Sequence, residues 1–134
     1  MTQEYRLSDL QIAIMRVLWK RREATVTDVH EDLKDERGLA PTTVATVLSR
    51  LEKRGLLAHR TAGRQFVYRP LVTEEQVRCS MVEELTELLF EGDVSEMVSH
   101  LLSAREISPG DLARVKSLIE ARERTEPGAP DDPV

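Results

Sequence analysis

Residues 39–70, LAPTTVATVLSRLEKRGLLAHRTAGRQFVYRP, constrain this chain more than any other stretch. Val44, Val47, Leu48 and Leu51 recur at the i, i+3, i+4, i+7 spacing that places them on one side of an α-helix. Gly55 follows the basic last turn of Lys53 and Arg54, where a helix stops. LLAHR and RQFVYR then flank Thr61-Ala62-Gly63, a short glycine-containing turn between two strand-like runs. The stretch therefore reads as a helix leading directly into a two-stranded hairpin.

Two helices precede it. Ser8 caps the first, about Ser8 to Arg21, with Asp9 in its first turn and Gln11 at the capping-box position. Leu10, Ile14, Val17 and Leu18 form its stripe, flanked by Ile12, Ala13, Met15 and Trp19, so it is expected to sit centrally. Thr25 caps the second, Thr27 to Lys34, with Asp28 three residues on and Val26, Val29 and Leu33 facing inward. Pro41 suits the first position of the third helix, although Ala40 is a poor cap. Helix, helix, helix, strand, strand is the order of a winged helix-turn-helix. In the hairpin Phe66 and Tyr68 alternate against Gln65, Val67 and Arg69. They are two of five aromatic residues in the chain and are expected to anchor the wing to the helical core.

The net charge of −5 hides a split. Residues 1–70 hold 13 Lys+Arg against 9 Asp+Glu, whereas residues 71–134 hold 6 against 15. Within residues 41–70, six basic groups (Arg50, Lys53, Arg54, Arg60, Arg64, Arg69) face the single acid Glu52. Such asymmetry separates a nucleic-acid-contacting half from a partner-contacting half. The third helix leaves Thr42, Thr46, Ser49 and Lys53 outward, with Thr43 and Arg50 at the edges, and this shape enters a DNA major groove. Threonine offers a hydroxyl and a methyl to base edges, so Thr42, Thr43 and Thr46 are assigned to bases. Ser49, Arg50, Lys53, Arg60 and Arg64 are assigned to phosphates and the wing. His59 stands open between a phosphate contact and plain exposure.

Enzymatic chemistry has no such support. His30, His59 and His100 are scattered, and His30-Glu31-Asp32 lacks the spacing of a zinc hydrolase. No catalytic group, metal site or cofactor is expected. The one cysteine, Cys79, makes no intramolecular disulfide and is expected as a buried or half-buried small hydrophobe. No apolar run approaches a membrane span and no signal-peptide pattern opens the chain, so a cytoplasmic protein without a membrane partner is expected.

From Thr73 the pattern changes to three amphipathic helices. The first, Glu74 to Phe90, carries Val77, Met81, Leu85, Leu88 and Leu89 and ends at Gly92. Asp93 caps the second, with Val94, Met97, Val98, Leu101 and Leu102. Ser108 and Pro109 open the third, with Leu112, Val115, Leu118 and Ile119. A helical unit of only about fifty residues buries too little apolar surface alone, so these side chains are expected to share a core with a second copy. The expected organisation is a DNA-binding domain at 1–71, a helical dimerisation region at 72–125 and a disordered tail at 126–134. The fold class is mostly α with a small β-hairpin. The competing reading is a winged-helix module for protein–protein assembly without specific DNA binding.

LSDLQIAIMRVLW, TTVATVLSRLEKRGLL and GRQFVYRPLVTEEQ together resemble the penicillinase-repressor family, the BlaI, MecI and CopY type of bacterial repressor, from about Leu7 to Glu120. The resemblance implies a homodimer that represses transcription from a palindromic operator with TACA/TGTA-like half-sites. It matches Thr42, Thr43, Thr46 and Arg50 to recognition-helix positions and Arg64 to the wing tip. Copper-responsive members carry a CxCxxxxCxC tail, which this chain lacks. Antibiotic-responsive members imply a sensor-linked protease as partner, cutting at an Asn-Phe bond; His100-Leu101 stands at that place here.

Overall fold

The computed structural model describes residues 5–104 and 106–125, so the expected tail at 126–134 lies outside the described residues. The elements are α1 (Asp9–Arg21), α2 (Val26–Arg37), α3 (Pro41–Lys53), β1 (Leu57–Ala62), β2 (Gln65–Pro70), α4 (Glu74–Phe90), α5 (Val94–Ala104) and α6 (Pro109–Thr125). The mostly helical winged-helix class is the observed one. Two compact units divide between Leu89 and Phe90.

In the first unit the helix starts are fixed by short reciprocal bonds. Ser8 Oγ accepts the Gln11 N–H at 3.2 Å while Gln11 Oε1 accepts the Ser8 N–H at 2.9 Å. Thr25 and Asp28 repeat the arrangement at 3.1 and 3.0 Å. Each box satisfies two otherwise orphaned donors. α2 continues to Arg37, beyond the expected Lys34. Gly38 then stops it in the left-handed region, its N–H bonded to Lys34 O at 3.0 Å.

Ile14, Met15 and Leu18 of α1 are fully buried with Val29 of α2 and Val44, Leu48 and Leu51 of α3. α1 is thus the central helix, as its broad apolar circumference implied. Full burial of each such side chain contributes about 1.5–3 kcal/mol. α3 ends in a Schellman turn: the Gly55 N–H bonds Glu52 O at 2.9 Å and the Leu56 N–H bonds Leu51 O at 3.0 Å. The turn sends Leu56 and Leu57 back into the same core.

β1 and β2 pair antiparallel from Leu57↔Pro70 to Ala62↔Gln65. The loop is therefore Gly63-Arg64, with Gly63 at φ 65°, and Thr61 and Ala62 are strand residues rather than turn. A two-residue loop with glycine first matches the twist of the strands. Tyr68 exchanges backbone hydrogen bonds with Ala24 at 2.8 and 2.9 Å, so the α1–α2 connection adds a one-residue bridge to the hairpin.

The opening turns of α4 close this core. Thr73 and Gln76 form a third reciprocal cap, at 2.9 and 3.0 Å. Trp19 Nε1 donates to Val72 O at 2.9 Å, the Tyr5 N–H donates to Ser80 Oγ at 2.9 Å, and Arg6 pairs with Glu84. Val77 is only 4% exposed and Met81 packs against the same cluster. These two side chains, expected on a dimerising face, serve instead as the first unit's own lid. The short connection from β2 leaves α4 little choice but to start over that core. Further along, Val82, Leu85, Leu88 and Leu89 stay about half exposed or more. Cys79 is exposed rather than buried. Its thiol donates to Glu75 at 3.4 Å, and that bond, with slight desolvation and the charges of Glu75 and Glu83, raises its pKa.

In the second unit Asp93 caps α5 as expected. Its carboxylate accepts the Glu96 N–H at 3.0 Å and the Ser95 hydroxyl at 2.9 Å, which hold it below the usual carboxylate range. Ser108 caps α6 by accepting the Asp111 N–H at 3.1 Å. Among the described residues α6 buries none, and Val94, Leu101, Leu102, Leu112, Leu118 and Ile119 all remain exposed. Met97, Val98 and Val115 are half-buried. His100 and Leu101 lie inside α5, with the His100 ring tilted on Phe90 at 5.9 Å.

Gly55 sits at φ 85°, and a methyl group there would meet no atom within 4 Å. The cost of Gly55→Ala is therefore purely conformational, about 1 kcal/mol. Urea unfolding should give an unfolding free energy lower by that amount, through an earlier midpoint at unchanged slope.

Candidate nucleic-acid interface

Burial of Val44, Val47, Leu48 and Leu51 fixes the rotation of α3 about its axis. Thr42, Thr43, Thr46, Ser49, Arg50 and Lys53 consequently all face outward. Thr46 Oγ1 donates to Thr42 O at 3.0 Å. With its proton committed, Thr46 presents acceptor lone pairs and a methyl group. That combination suits the exocyclic amino groups of adenine or cytosine and the thymine methyl. Pro41 occupies the first helical position, and Ala40 makes no side-chain cap bond. The first N–H groups of α3 thus keep their positive partial charge available to a phosphate.

The hairpin stands beside this helix. A groove of about 480 Å³ runs between them, lined by Val26, Thr27, Ala45, Ser49, Arg64, Gln65, Phe66 and Tyr68. The structure thereby brings Ser49 of α3 and Arg64 of the wing tip to one cleft. Among the described residues Arg50, Lys53 and Arg64 carry no ion pair, so their charge is open to an external anion.

His59 and Arg60 have protein partners instead. His59 Nδ1 lies 2.6 Å from Glu52 Oε2, and its ring stacks on Phe66 with centroids 4.0 Å apart and planes 18° from parallel. Arg60 makes two bonds to Glu23, at 3.1 and 3.3 Å. That bidentate pair holds the Glu23 carboxyl below its usual range and raises the Arg60 guanidinium. Sequence reasoning named neither carboxylate as part of the site. Glu52 had a signal, as the sole acid among six cations; Glu23, in a mixed-charge run, had none.

The two wing aromatics also differ. Tyr68 is buried beside the core, and burial, followed by the charge of Glu52, raises its hydroxyl pKa. Phe66 is 47% exposed and rests on His59 rather than on the helices. The alternation of faces is as expected, but only Tyr68 anchors the wing to the core.

The sequence model of the family described as penicillinase repressor matches residues 7–121. The chain belongs to the penicillinase repressor family. It is 36% identical over 127 residues to the transcriptional regulator BlaI of Mycobacterium tuberculosis, covering 92% of each chain. It is 27% identical over 114 residues to the penicillinase repressor of Bacillus licheniformis, covering 85% of this chain and 89% of that one. The solution structure of the DNA-binding domain of the repressor BlaI aligns with a TM-score of 0.50 at 34% identity, over 57% of this chain and 93% of that one. Penicillinase repressors are DNA-binding winged-helix transcriptional regulators and not enzymes. No described helix is long and apolar enough to cross a membrane.

The unequal burial of the wing aromatics has a measurable consequence. Tyr68→Ala should lower unfolding free energy by about 3 kcal/mol, whereas Phe66→Ala should cost about 1 kcal/mol. Thermal unfolding of the two variants distinguishes them.

Proposed function

We propose that this chain is a homodimeric repressor that reads a palindromic operator, with Thr42, Thr43 and Thr46 at base edges and Ser49, Arg50, Lys53 and Arg64 on phosphates. The observation that carries this reading is the exposed threonine face of α3 flanked by Arg50, Lys53 and Arg64, which among the described residues make no ion pair. Base contacts by the threonines supply sequence choice; the cations supply affinity, which falls steeply with salt as counterions are released.

The uncovered apolar side chains support the dimer. Leu85, Leu88 and Leu89 of α4 and Leu112, Leu118 and Ile119 of α6 are each 46–64% exposed. A chain in water gains by burying such surfaces, and a second copy offers the same surfaces in return. A dyad then places two recognition helices about 34 Å apart, one helical turn of DNA or a multiple of it. A sensor-linked protease remains the proposed route of release. Because His100 and Leu101 sit within α5, cleavage between them requires that helix to open locally.

Selection from a random-sequence duplex pool at physiological salt, followed by sequencing, tests the reading. One palindromic motif should emerge; recovery without a motif would move the assignment to protein assembly. Against the recovered duplex, Thr46→Ala should weaken binding by about 1 kcal/mol while leaving random duplex nearly unaffected. Arg64→Ala should weaken both and reduce the salt slope by about 0.9.

Sedimentation analysis tests the oligomer separately. The intact chain should run as a dimer at micromolar concentration, and Leu89→Glu or Leu118→Glu should shift it toward monomer. A monomeric parent chain would overturn the dyad.

A further inference from the structure

We propose that Glu23 and Glu52 form a carboxylate clamp that positions the wing and restrains its binding to DNA of arbitrary sequence. The proposal rests on the DNA-binding reading above. His59 and Arg60 are consecutive in β1, so their side chains leave opposite faces of the hairpin. Glu52 of α3 takes His59 at 2.6 Å, and Glu23, from the α1–α2 connection, takes Arg60 through two bonds at 3.1 and 3.3 Å. Phe66 completes the grip by stacking on His59 at 4.0 Å. One strand of the wing is thus held on both faces by carboxylates from two different parts of the helical core.

Two consequences follow from this geometry. First, the wing tip is preorganised. Arg64 lies one short turn beyond the clamped residues, so its position relative to the threonine face of α3 is set before DNA arrives. Preorganisation aids a complex in which helix and wing must register together, and aids loose association with random duplex much less. Second, the clamp withholds charge. The Glu23 carboxyl pairs with Arg60 through two bonds, removing one cation from those that attract any phosphate.

The clamp contributes little to folding, because both members of the Arg60–Glu23 pair are about half exposed and those of the His59–Glu52 pair still about 30% exposed. Variants should therefore remain folded with nearly unchanged thermal midpoints. Glu23→Gln frees Arg60. Binding to a random-sequence duplex should tighten, and its salt slope should steepen by about 0.9, roughly a 3.5-fold greater loss of affinity over a fourfold rise in salt. The ratio of affinities for the selected and random duplexes should fall about threefold or more. Glu52→Ala should weaken selected-duplex binding alone. Glu52→Gln, whose amide oxygen still accepts from the His59 ring, should restore it.

The experiment is a salt titration of duplex binding by the full chain and these three variants, with thermal unfolding alongside. A purely structural role predicts lowered midpoints and parallel losses on both duplexes, and that result would overturn the clamp. So would a Glu23→Gln salt slope equal to that of the parent chain. If the parent chain binds neither duplex, the DNA-binding reading itself fails; if it binds both and the variants do not differ from it, only the clamp fails.

Discussion

Everything at the interface depends on how α3 is held. Val44, Val47, Leu48 and Leu51 form one seam, and burying it against α1 and α2 leaves a single outward orientation for the remaining residues. Each of these side chains is buried at 9% exposure or less. Rotating the helix by even one residue would expose leucine or valine and bury threonine, at a cost of several times RT per side chain. The Schellman turn at Gly55 extends the constraint to the wing, because Leu56 and Leu57 return to the core that holds the seam. The placement of α3 and that of the wing are therefore two outcomes of one packing event.

Charge is distributed on that frame with discrimination. Arg21, Arg37, Arg60 and His59 are engaged by Asp32, Asp9, Glu23 and Glu52. Among the described residues Arg50, Lys53 and Arg64, on the helix and the wing tip, make no ion pair. A count of basic residues in the sequence treats these groups as equals, whereas the fold divides them into side chains that tie elements together and side chains that face outward. The uncapped start of α3 adds partial positive charge on the same helix.

α4 shows how one amphipathic helix can serve two surfaces. Its first turns cover the winged-helix core through Val77 and Met81, and its later leucines remain uncovered. Periodicity identifies apolar positions but cannot say which neighbour will cover them. The chain resolves that choice through connectivity, since Val72 and Trp19 already tie the start of α4 to the core. Among the described residues of α5 and α6, the apolar side chains Val94, Leu101, Leu102, Leu112, Leu118 and Ile119 stay exposed, and periodicity alone names no cover for them.

Local chemistry made much of this legible in advance. Ser8 with Gln11 and Thr25 with Asp28 act within four residues, so their caps could be read directly. The α3 seam and the start of α4 were legible for the same reason: helical period and capping are properties of short segments. The turn begins two residues later than its composition suggests because cross-strand register decided that Thr61 and Ala62 belong to β1. Cys79 lies outward because the face α4 turns to the core carries Val77 and Ser80 instead. The sequence by itself determined the helices, their order, the outward threonine face and the family. The tertiary structure alone decided which basic side chains are engaged by Glu23 and Glu52, which aromatic anchors the wing and which apolar side chains stay uncovered. Those outcomes rest on contacts between residues 7 to 53 positions apart, and no local pattern encodes them.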